Sequence, residues 1–244
     1  MKESDLEHVF HFTRSIESLN SIINNEIFWV CYSLENFDFL NNGDPWGGQI
    51  NKSFAYPMTC FCDIPLDERI FNHANDKSDG YGRFGIGMKK SWAEKMGIAP
   101  VHYVTSNNIV AKLWSSILFG IPNMRNWTKE SGNFDFFFND LINLGTFIKP
   151  YKNIDSKIYY DEREWRYYPP LELFEEMRIK RFLTEEEYKN ANREGSMQSG
   201  FELQFSLEQD VDYLIVPLEY IDEVYRLING LKIKIQPYEE IGIK

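Results

Sequence analysis

The sequence predicts an α+β fold with mixed, mainly antiparallel sheets and packed helices, and three observations support this class. Segments with period-two alternation of apolar residues are interspersed with helical segments, without the regular βαβ order of a parallel sheet. Apolar residues make up 43% of the 244 residues and aromatic residues 16%, enough to build a sizeable core. The sequence contains no internal repeat. We therefore predict a single domain over residues 1–244, with a helical insertion around residues 106–144.

The first predicted elements are a strand and an amphipathic helix. The stretch "EHVFHFT" alternates, which places His11 and Thr13 on one face of a strand and Phe10 and Phe12 on the other. Ser15 has the residue type and position of a helix N-cap. Helical spacing then predicts an inward-facing apolar stripe formed by Ile16, Leu19, Ile22 and Ile23.

The middle of the chain predicts further strands and one long helix. "IFWVCYS" is predicted as a second strand, and "LENFDFLNNGDPWGGQINKS" as a long surface loop. "YPMTCFCDIP" is predicted as a strand with Met58, Cys60 and Cys62 on one face. "RFGIGMKK" is predicted as another strand, whose glycines would permit close approach to its own backbone. "SWAEKMG" is predicted as a helix and "PVHYVT" as a strand. In "SNNIVAKLWSSILFG" the helical spacing predicts six inward residues, namely Ile109, Val110, Leu113, Trp114, Ile117 and Leu118.

The last third of the chain returns to strands. We expect "GTFIKPYK" and "REWRYYP" to pair with each other, and "FELQFSL", "DYLIVP" and "KIKIQP" to form the remaining strands. Thr184 and Glu187 have the spacing of a capping box at the start of a helix. Another helix is predicted to end at Gly230.

Charge and cysteine content restrict the classes of partner and compartment. The formal net charge is −11, which gives no overall attraction to nucleic acid and favours a small molecule or a basic protein as the partner. Three cysteines, an odd number, argue against a disulfide framework. No apolar run approaches the roughly 20 residues of a membrane span, and the N-terminus lacks the apolar core of a signal peptide. We expect a cytoplasmic protein without membrane contact.

The short universal motifs of catalysis and nucleotide binding are absent from the sequence. It contains no phosphate-binding loop, HExxH, GxSxG or paired CxxC motif. Cys60, Cys62, Asp63 and His73 include residue types that bind zinc. Strand alternation, however, places Asp63 on the face opposite the two cysteines. We therefore predict buried free cysteines and no metal site.

The densest group of candidate functional residues lies in "YYDEREWRYYPP". On a strand, Glu162, Glu164 and Arg166 would share one face. Such a stripe could point into a cleft, where it would stabilise a cationic transition state or hold a polar ligand. It could equally lie on a solvated edge strand and form cross-strand ion pairs. The sequence does not decide between these two interpretations.

An ordered set of motifs carries a resemblance to a known family. The motifs, which span most of the first 170 residues or so, are "HFTRSIESLNSII", "YSLENF", "YPMTCFCDIPL", the lone His of "NHA", "YGRFGIGMKKSWAEKMGIAPVHYV" and "EREWRYY". In these motifs the chain resembles the abortive-infection phage-resistance family of the AbiGi type, the antitoxin side of a toxin–antitoxin pair. The resemblance implies a role in phage resistance and a cognate toxin protein as the partner.

The opening stretch also resembles, more distantly, the start of ADP-ribosyltransferase-like domains, including those that modify DNA. This resemblance implies a split-sheet core and, in an active enzyme, NAD as the cofactor. Carried over by position, His11 with Thr13 would contact NAD, Tyr32 or Ser33 would support the nicotinamide, and Glu164 would be catalytic. A fixed carboxylate would stabilise the positive charge that develops on the ribose as nicotinamide leaves.

Two functions from different classes follow from these resemblances. The first is an antitoxin-like binding protein on an ADP-ribosyltransferase-like fold that neutralises a cognate toxin, and we favour this role. The second is an active NAD-dependent ADP-ribosyltransferase that modifies a protein or nucleic acid during phage infection. Nucleic acid is expected only as such a modification target. The enzyme hypothesis requires His11, Tyr32 and Glu164 to converge on one cleft.

Overall fold

The computed structural model describes most of the chain. The described residues are 7–40, 53–67, 69–70, 73–75, 77, 80–106, 108–120, 141, 143–152, 157–191 and 200–241. Residues 121–140, which carry most of the predicted helical insertion, lie outside this set, as does the second half of the predicted long loop. None of the described helices is both long and apolar enough to cross a membrane.

The described strands and helices are short and alternate irregularly along the chain. The strands are β1 His8–Thr13, β2 Ile27–Phe28, β3 Cys31–Asn36, β4 Ser53–Cys62, β5 Phe84–Lys89, β6 Ala99–Pro100, β7 His102–Val104, β8 Ile148–Pro150, β9 Glu164–Tyr167, β10 Leu183–Thr184, β11 Leu203–Gln204, β12 Val211–Val216 and β13 Lys234–Pro237. The α-helices are α1 Ile16–Asn25, α2 Lys90–Lys95, α3 Ile109–Ser115, α4 Leu171–Glu176, α5 Glu185–Asn190, α6 Leu207–Asp210 and α7 Ile221–Leu227.

Within the described part of the chain, nine strands form one sheet. Its path runs β13-β12-β5-β1-β4-β9-β6, and β3 and β10 pair with the first half of β4. The pairs in this sheet are antiparallel except for β12 with β13. Two small pairs lie outside it, antiparallel β11–β2 and parallel β7–β8. The predicted α+β class with mainly antiparallel sheets is confirmed.

Strand β4 connects the two largest apolar cores of the described residues. Its second half pairs with β9, and Phe61 there belongs to the larger core, which also contains the inner face of α1. Its first half pairs with β3, and Tyr56 and Met58 belong to a second core together with Leu118. Ten consecutive residues in one extended segment therefore contribute to both cores.

Strands β1 and β4 are neighbours but share a single register pair, Phe10 with Cys62. Strand β1 pairs with β5 along all six of its residues, so β1 remains fixed on that side. On the β4 side, the Nδ1 atom of His11 lies 2.8 Å from the backbone oxygen of Cys60. The His11 side chain thus links the two strands at a place where the backbone ladder between β1 and β4 does not continue. We call this place the β1–β4 gap.

The two predicted helix N-termini are confirmed. The Ser15 side chain accepts a hydrogen bond from the Ser18 amide at the start of α1. At the start of α5, the Thr184 hydroxyl accepts from the Glu187 amide and the Glu187 carboxylate accepts from the Thr184 amide, which completes the capping box. The predicted inward stripe of α1, Ile16, Leu19, Ile22 and Ile23, is buried.

The predicted inward face of α3 is wrong for the first three residues assigned to it, although Trp114 packs against the second core and Leu118 is buried, as predicted. Ile109 and Leu113 are 67% and 57% exposed, and Val110 is exposed as well, whereas Ala111 and Leu118 are buried. The α-helix ends at Ser115 and continues as a π-helical turn over Ser116–Gly120. Because the π-helix has more residues per turn, it shifts the phase of the side chains, and the residues on either side no longer share one helical face.

The predicted pairing of "GTFIKPYK" with "REWRYYP" is also wrong. Strand β8 pairs in parallel with β7. Strand β9 lies inside the sheet, with β4 on one side and β6 on the other. Both neighbours of β9 are distant in sequence, so local alternation could not reveal its partners.

The glycines of β5 allow the close approach that the sequence predicts. A Cβ atom at Gly85 would lie 2.6 Å from Cε1 of Phe12, and one at Gly87 would lie 2.7 Å from Cε1 of Phe10. The two phenyl rings of β1 therefore lie directly on the backbone of β5. This contact fixes the positions of two rings that border the candidate site.

Candidate functional site

The acidic stretch before and within β9 contributes its side chains to a buried cluster of charges. Glu164 and Arg166 lie opposite Cys62 and Cys60 of β4, so they share one face of the sheet. Glu162 ends a 3₁₀ turn over Tyr159–Glu162, and the next residue, Arg163, has a left-handed backbone with φ 43°. Glu162, Glu164 and Arg166 are all buried.

Lys149 of β8 joins the two carboxylates. Its ammonium lies 2.5 Å from Oε2 of Glu162 and 2.6 Å from Oε2 of Glu164. Glu162 also has Lys157 at 3.2 Å. On the other side, the Arg166 guanidinium donates to Oε1 of Glu164 at 2.7 Å.

Arg166 extends the cluster to two further elements. Its Nη2 lies 2.9 Å from Oε1 of Glu35 in β3, and its Nη1 donates to the Thr146 carbonyl at 2.5 Å. Glu164 is further fixed by its own backbone amide, which donates to the hydroxyl oxygen of Tyr103 at 2.7 Å. The three carboxylates Glu35, Glu162 and Glu164 thus meet three cations, and the cluster is balanced in formal charge.

The electrostatics of this cluster keep Glu164 ionised. Burial alone would raise the pKa of Glu164, but the charges of Arg166 and Lys149 outweigh it and hold the pKa well below its usual range. Burial also acts against the charge of Lys149, yet the neighbouring carboxylates, Glu164 first, raise its pKa above the ordinary value. At Glu35 burial dominates and raises the pKa, although Arg166 acts in the opposite direction.

The position of Glu162, Glu164 and Arg166 can now be compared with the two interpretations from the sequence, a stripe that points into a cleft and a solvated edge strand with ion pairs. The strand is not at an edge, since β4 and β6 flank it, and its charged side chains are not solvated. The ion pairs of the second interpretation are present, but they are buried. The cleft of the first interpretation is also present, because Glu162 and Glu164 border a partly open pocket.

This space, which we call the β1–β4 cavity, lies at the β1–β4 gap and has a volume of about 120 Å³. Its apolar lining consists of four aromatic rings and two thiols, from Phe10, Phe12, Phe61, Tyr81, Cys60 and Cys62. Its polar lining consists of His11, Glu162 and Glu164. The sequence-predicted residues His11 and Glu164 are therefore brought to one cavity.

His11 is held in one neutral form. A carbonyl oxygen only accepts hydrogen bonds, so the Nδ1 atom beside the Cys60 oxygen must carry the ring proton. Burial lowers the pKa of His11, and the Cys60 contact only partly offsets this. The ring packs against Phe28 and Phe61, with centroids 5.1 Å and 5.6 Å away. By strand alternation these contacts lie on the face of the sheet opposite Glu164, and the gap is what lets both residues border one cavity.

The other sequence-predicted site residues lie elsewhere. The Thr13 hydroxyl donates to the Ser15 carbonyl at 3.2 Å. The Tyr32 hydroxyl donates to the Lys180 carbonyl, and burial, followed by the charge of Glu187, raises the pKa of Tyr32 to about 12. Ser33 lies opposite Tyr56 in the β3–β4 ladder. None of these three residues lines the β1–β4 cavity, so their assigned roles, like those of His11 and Glu164, remain predictions.

Sequence reasoning missed Lys149, Glu35 and Tyr81. Lys149 lies in "TFIKPY" as a single cation between apolar and aromatic residues, and that unusual setting is the one local signal. Glu35 is 131 residues away from Arg166 in sequence, and nothing near it indicates the contact. Tyr81 lies in a turn-rich stretch that predicts a loop and no contact.

NAD is the cofactor that the predicted enzyme would need, and the cavity does not fit it. Ligand pockets for molecules of that class measure roughly 300–1,000 Å³, whereas this cavity measures about 120 Å³. The lining residues that the structure describes include two carboxylates and no lysine or arginine to meet a diphosphate. Among the described residues, no group of three His, Cys, Asp or Glu side chains could hold a metal ion.

Comparison with known proteins identifies the family. A family model described as "Putative abortive phage resistance protein AbiGi, antitoxin" matches residues 27–217, which is most of the chain and includes β2 to β12. The chain belongs to the AbiGi family. Strand β1 and the His11 side of the β1–β4 gap lie before the matched range.

One curated AbiGi relative matches in sequence. It is the abortive phage resistance protein AbiGi of Lactococcus lactis subsp. cremoris, 31% identical over 134 residues. The match covers 50% of this chain and 54% of the relative, so the chain spans about half the length of the curated relative it matches. No solved structure matches the chain.

Proposed function

We propose that this AbiGi-family chain is the antitoxin-like component of an abortive-infection system and neutralises a cognate toxin by binding it. The state of Glu164, the predicted catalytic carboxylate, is the observation that carries this proposal. Both of its oxygens accept from cations of the chain itself, Arg166 on one and Lys149 with Arg166 on the other. A carboxylate that must stabilise a substrate's developing charge needs free access to that charge. Binding without catalysis agrees better with this geometry.

The charge of the chain supports a basic partner. With a formal net charge of −11, the chain attracts a positively charged protein at long range and would accelerate their association. We place this interaction in the cytoplasm, since all three cysteines are free thiols, as is usual in a reducing compartment.

A second function, NAD-dependent ADP-ribosyltransfer, has one observation in its favour. His11 and Glu164 border the same cavity, as that enzyme would require of two of its residues. Tyr32 does not join them, and the cavity is too small for a dinucleotide. ADP-ribosyltransfer is therefore the alternative function that the experiment below distinguishes from toxin binding.

The test is co-expression of the full chain with the product of its neighbouring gene. We expect the two proteins to co-purify and the chain to relieve toxicity, with the complex weakened when the salt concentration is raised. A Glu164→Gln variant that folds should relieve toxicity as the parent does, because its carboxylate has no catalytic part in the proposal.

Two results would contradict the proposal. One is the absence of both a complex and relief of toxicity. The other is consumption of NAD or transfer of ADP-ribose by the parent chain and not by Glu164→Gln, which would establish the enzyme instead.

A further inference from the structure

The β1–β4 cavity has the size of one ring. At about 120 Å³ it is slightly smaller than the engineered cavity of about 150 Å³ that holds benzene in another protein. Its walls are largely aromatic, with Phe10 and Phe12 stacked at 28° and a centroid distance of 6.3 Å. The glycines of β5 hold these two rings in place. A flat ring fits such walls better than an aliphatic group of equal volume.

The His11 ring presents a neutral acceptor that has no donor among the described residues. His11 uses Nδ1–H for the Cys60 carbonyl, so Nε2 carries a lone pair. Within the described part of the chain, nothing donates to Nε2, and that atom is not among the fully buried polar atoms. His11 is half-buried and borders the cavity, so we assign this acceptor to the cavity wall.

The carboxylates of the lining make the cavity unsuited to a charged ligand. Glu162 and Glu164 already face Lys149, Lys157 and Arg166, so no net charge remains for a cationic ligand to neutralise. An anion would meet carboxylate oxygens at the wall. Burying an unpaired charge among aromatic rings is costly for either sign.

We propose that the β1–β4 cavity binds a small, flat, neutral ring whose N–H group donates to Nε2 of His11. The aromatic walls select the ring, the neutral acceptor selects the donor, and the internally paired carboxylates exclude charge. The inference does not depend on whether the chain binds a toxin.

Three monocyclic probes of similar size test the proposal by calorimetric titration of the full chain at neutral pH. Aniline is neutral and has N–H donors, toluene is neutral without a donor, and benzoate is an anion. We expect aniline to bind about 2- to 12-fold more tightly than toluene, the effect of one hydrogen bond. Benzoate should not bind measurably.

Two variants assign the binding to this cavity. Phe12→Trp places a larger side chain at the wall and should abolish binding of aniline and toluene alike. Tyr225→Trp, at an exposed position on α7, is the matched control and should leave both affinities unchanged. His11→Phe should reduce the aniline-to-toluene ratio to about one.

The comparison of probes in the parent chain decides the proposal even if a variant fails to fold. Equal affinities for aniline and toluene, or benzoate binding as tight as that of aniline, would overturn it. Unchanged affinities in folded Phe12→Trp would overturn it as well.

Discussion

Lys149 is the residue on which the buried charge cluster depends. It is the one cation that contacts both Glu162 and Glu164 among the described residues. Removing one partner of a buried ion pair leaves a charge without compensation, and that loss exceeds what the intact pair contributes. The Lys149 ammonium therefore matters more for stability than the number of its contacts suggests.

Lys149→Met, which keeps an unbranched side chain but removes the ammonium group, should lower the free energy of unfolding by about 3–5 kcal/mol. Lys189→Met is the matched control, because Lys189 pairs with Glu185 on the exposed surface of α5. The control should change the free energy of unfolding far less. Urea denaturation measures both values, and equal losses in the two variants would contradict the buried cluster.

At the same scale, the sequence could predict which charged residues share a strand face but not which residues form ion pairs with them. Alternation correctly places Glu164 and Arg166 on one face of a strand. Their partners Lys149 and Glu35 come from other elements, and Glu35 is 131 residues from Arg166. Period-two patterns describe one strand and carry no information about which distant side chains close over it.

Among the elements, the features that local chemistry decides were predictable. The caps of α1 and α5 depend on residues three apart, so the sequence contains all of their interactions. The face of α3 was not predictable, because its π-helical continuation changes the spacing on which the prediction depended. The partners of β9 and the β1–β4 gap are set by tertiary packing.

Strand β5 supports β1 through its glycines, and this contact is testable. A methyl group at Gly87 would lie 2.7 Å from the Phe10 ring and 2.9 Å from Cβ of Tyr213. Gly87→Ala should therefore lower the free energy of unfolding by about 1–3 kcal/mol, the usual cost of overpacking.

Combining Gly87→Ala with Phe10→Leu tests whether the ring is the cause. Because the smaller side chain makes room for the methyl group, the double variant should lose less than the sum of the single variants. Thermal or urea unfolding gives the coupling. Strict additivity would show that the Phe10 ring does not lie on Gly87.

At the scale of the whole molecule, β4 makes the two cores one unit. Met58 and Phe61 lie three residues apart on the same strand but in different cores. Loss of either core removes support from the strand that the other core needs. This is the physical basis for the single domain predicted from the sequence, which stays a prediction.

We expect one cooperative unfolding transition, with coincident curves from far-UV circular dichroism and tryptophan fluorescence. Met58→Ala and Phe61→Ala should each lower the free energy of unfolding by a few kcal/mol, about 2–5 for large-to-small changes in a core. Each variant should move both curves together. Two separate transitions, with each variant shifting one of them, would show that the cores are independent domains.

The β1–β4 cavity also gives the fold a mechanical property. Applied pressure favours whichever state occupies less volume, and poorly filled space in a fold is lost when the chain unfolds. The gap between β1 and β4, bridged by one imidazole, is therefore a place where compression acts on the native state. A ring bound in the cavity would fill that space. Ligand binding would therefore stabilise the native state, whereas pressure would destabilise it.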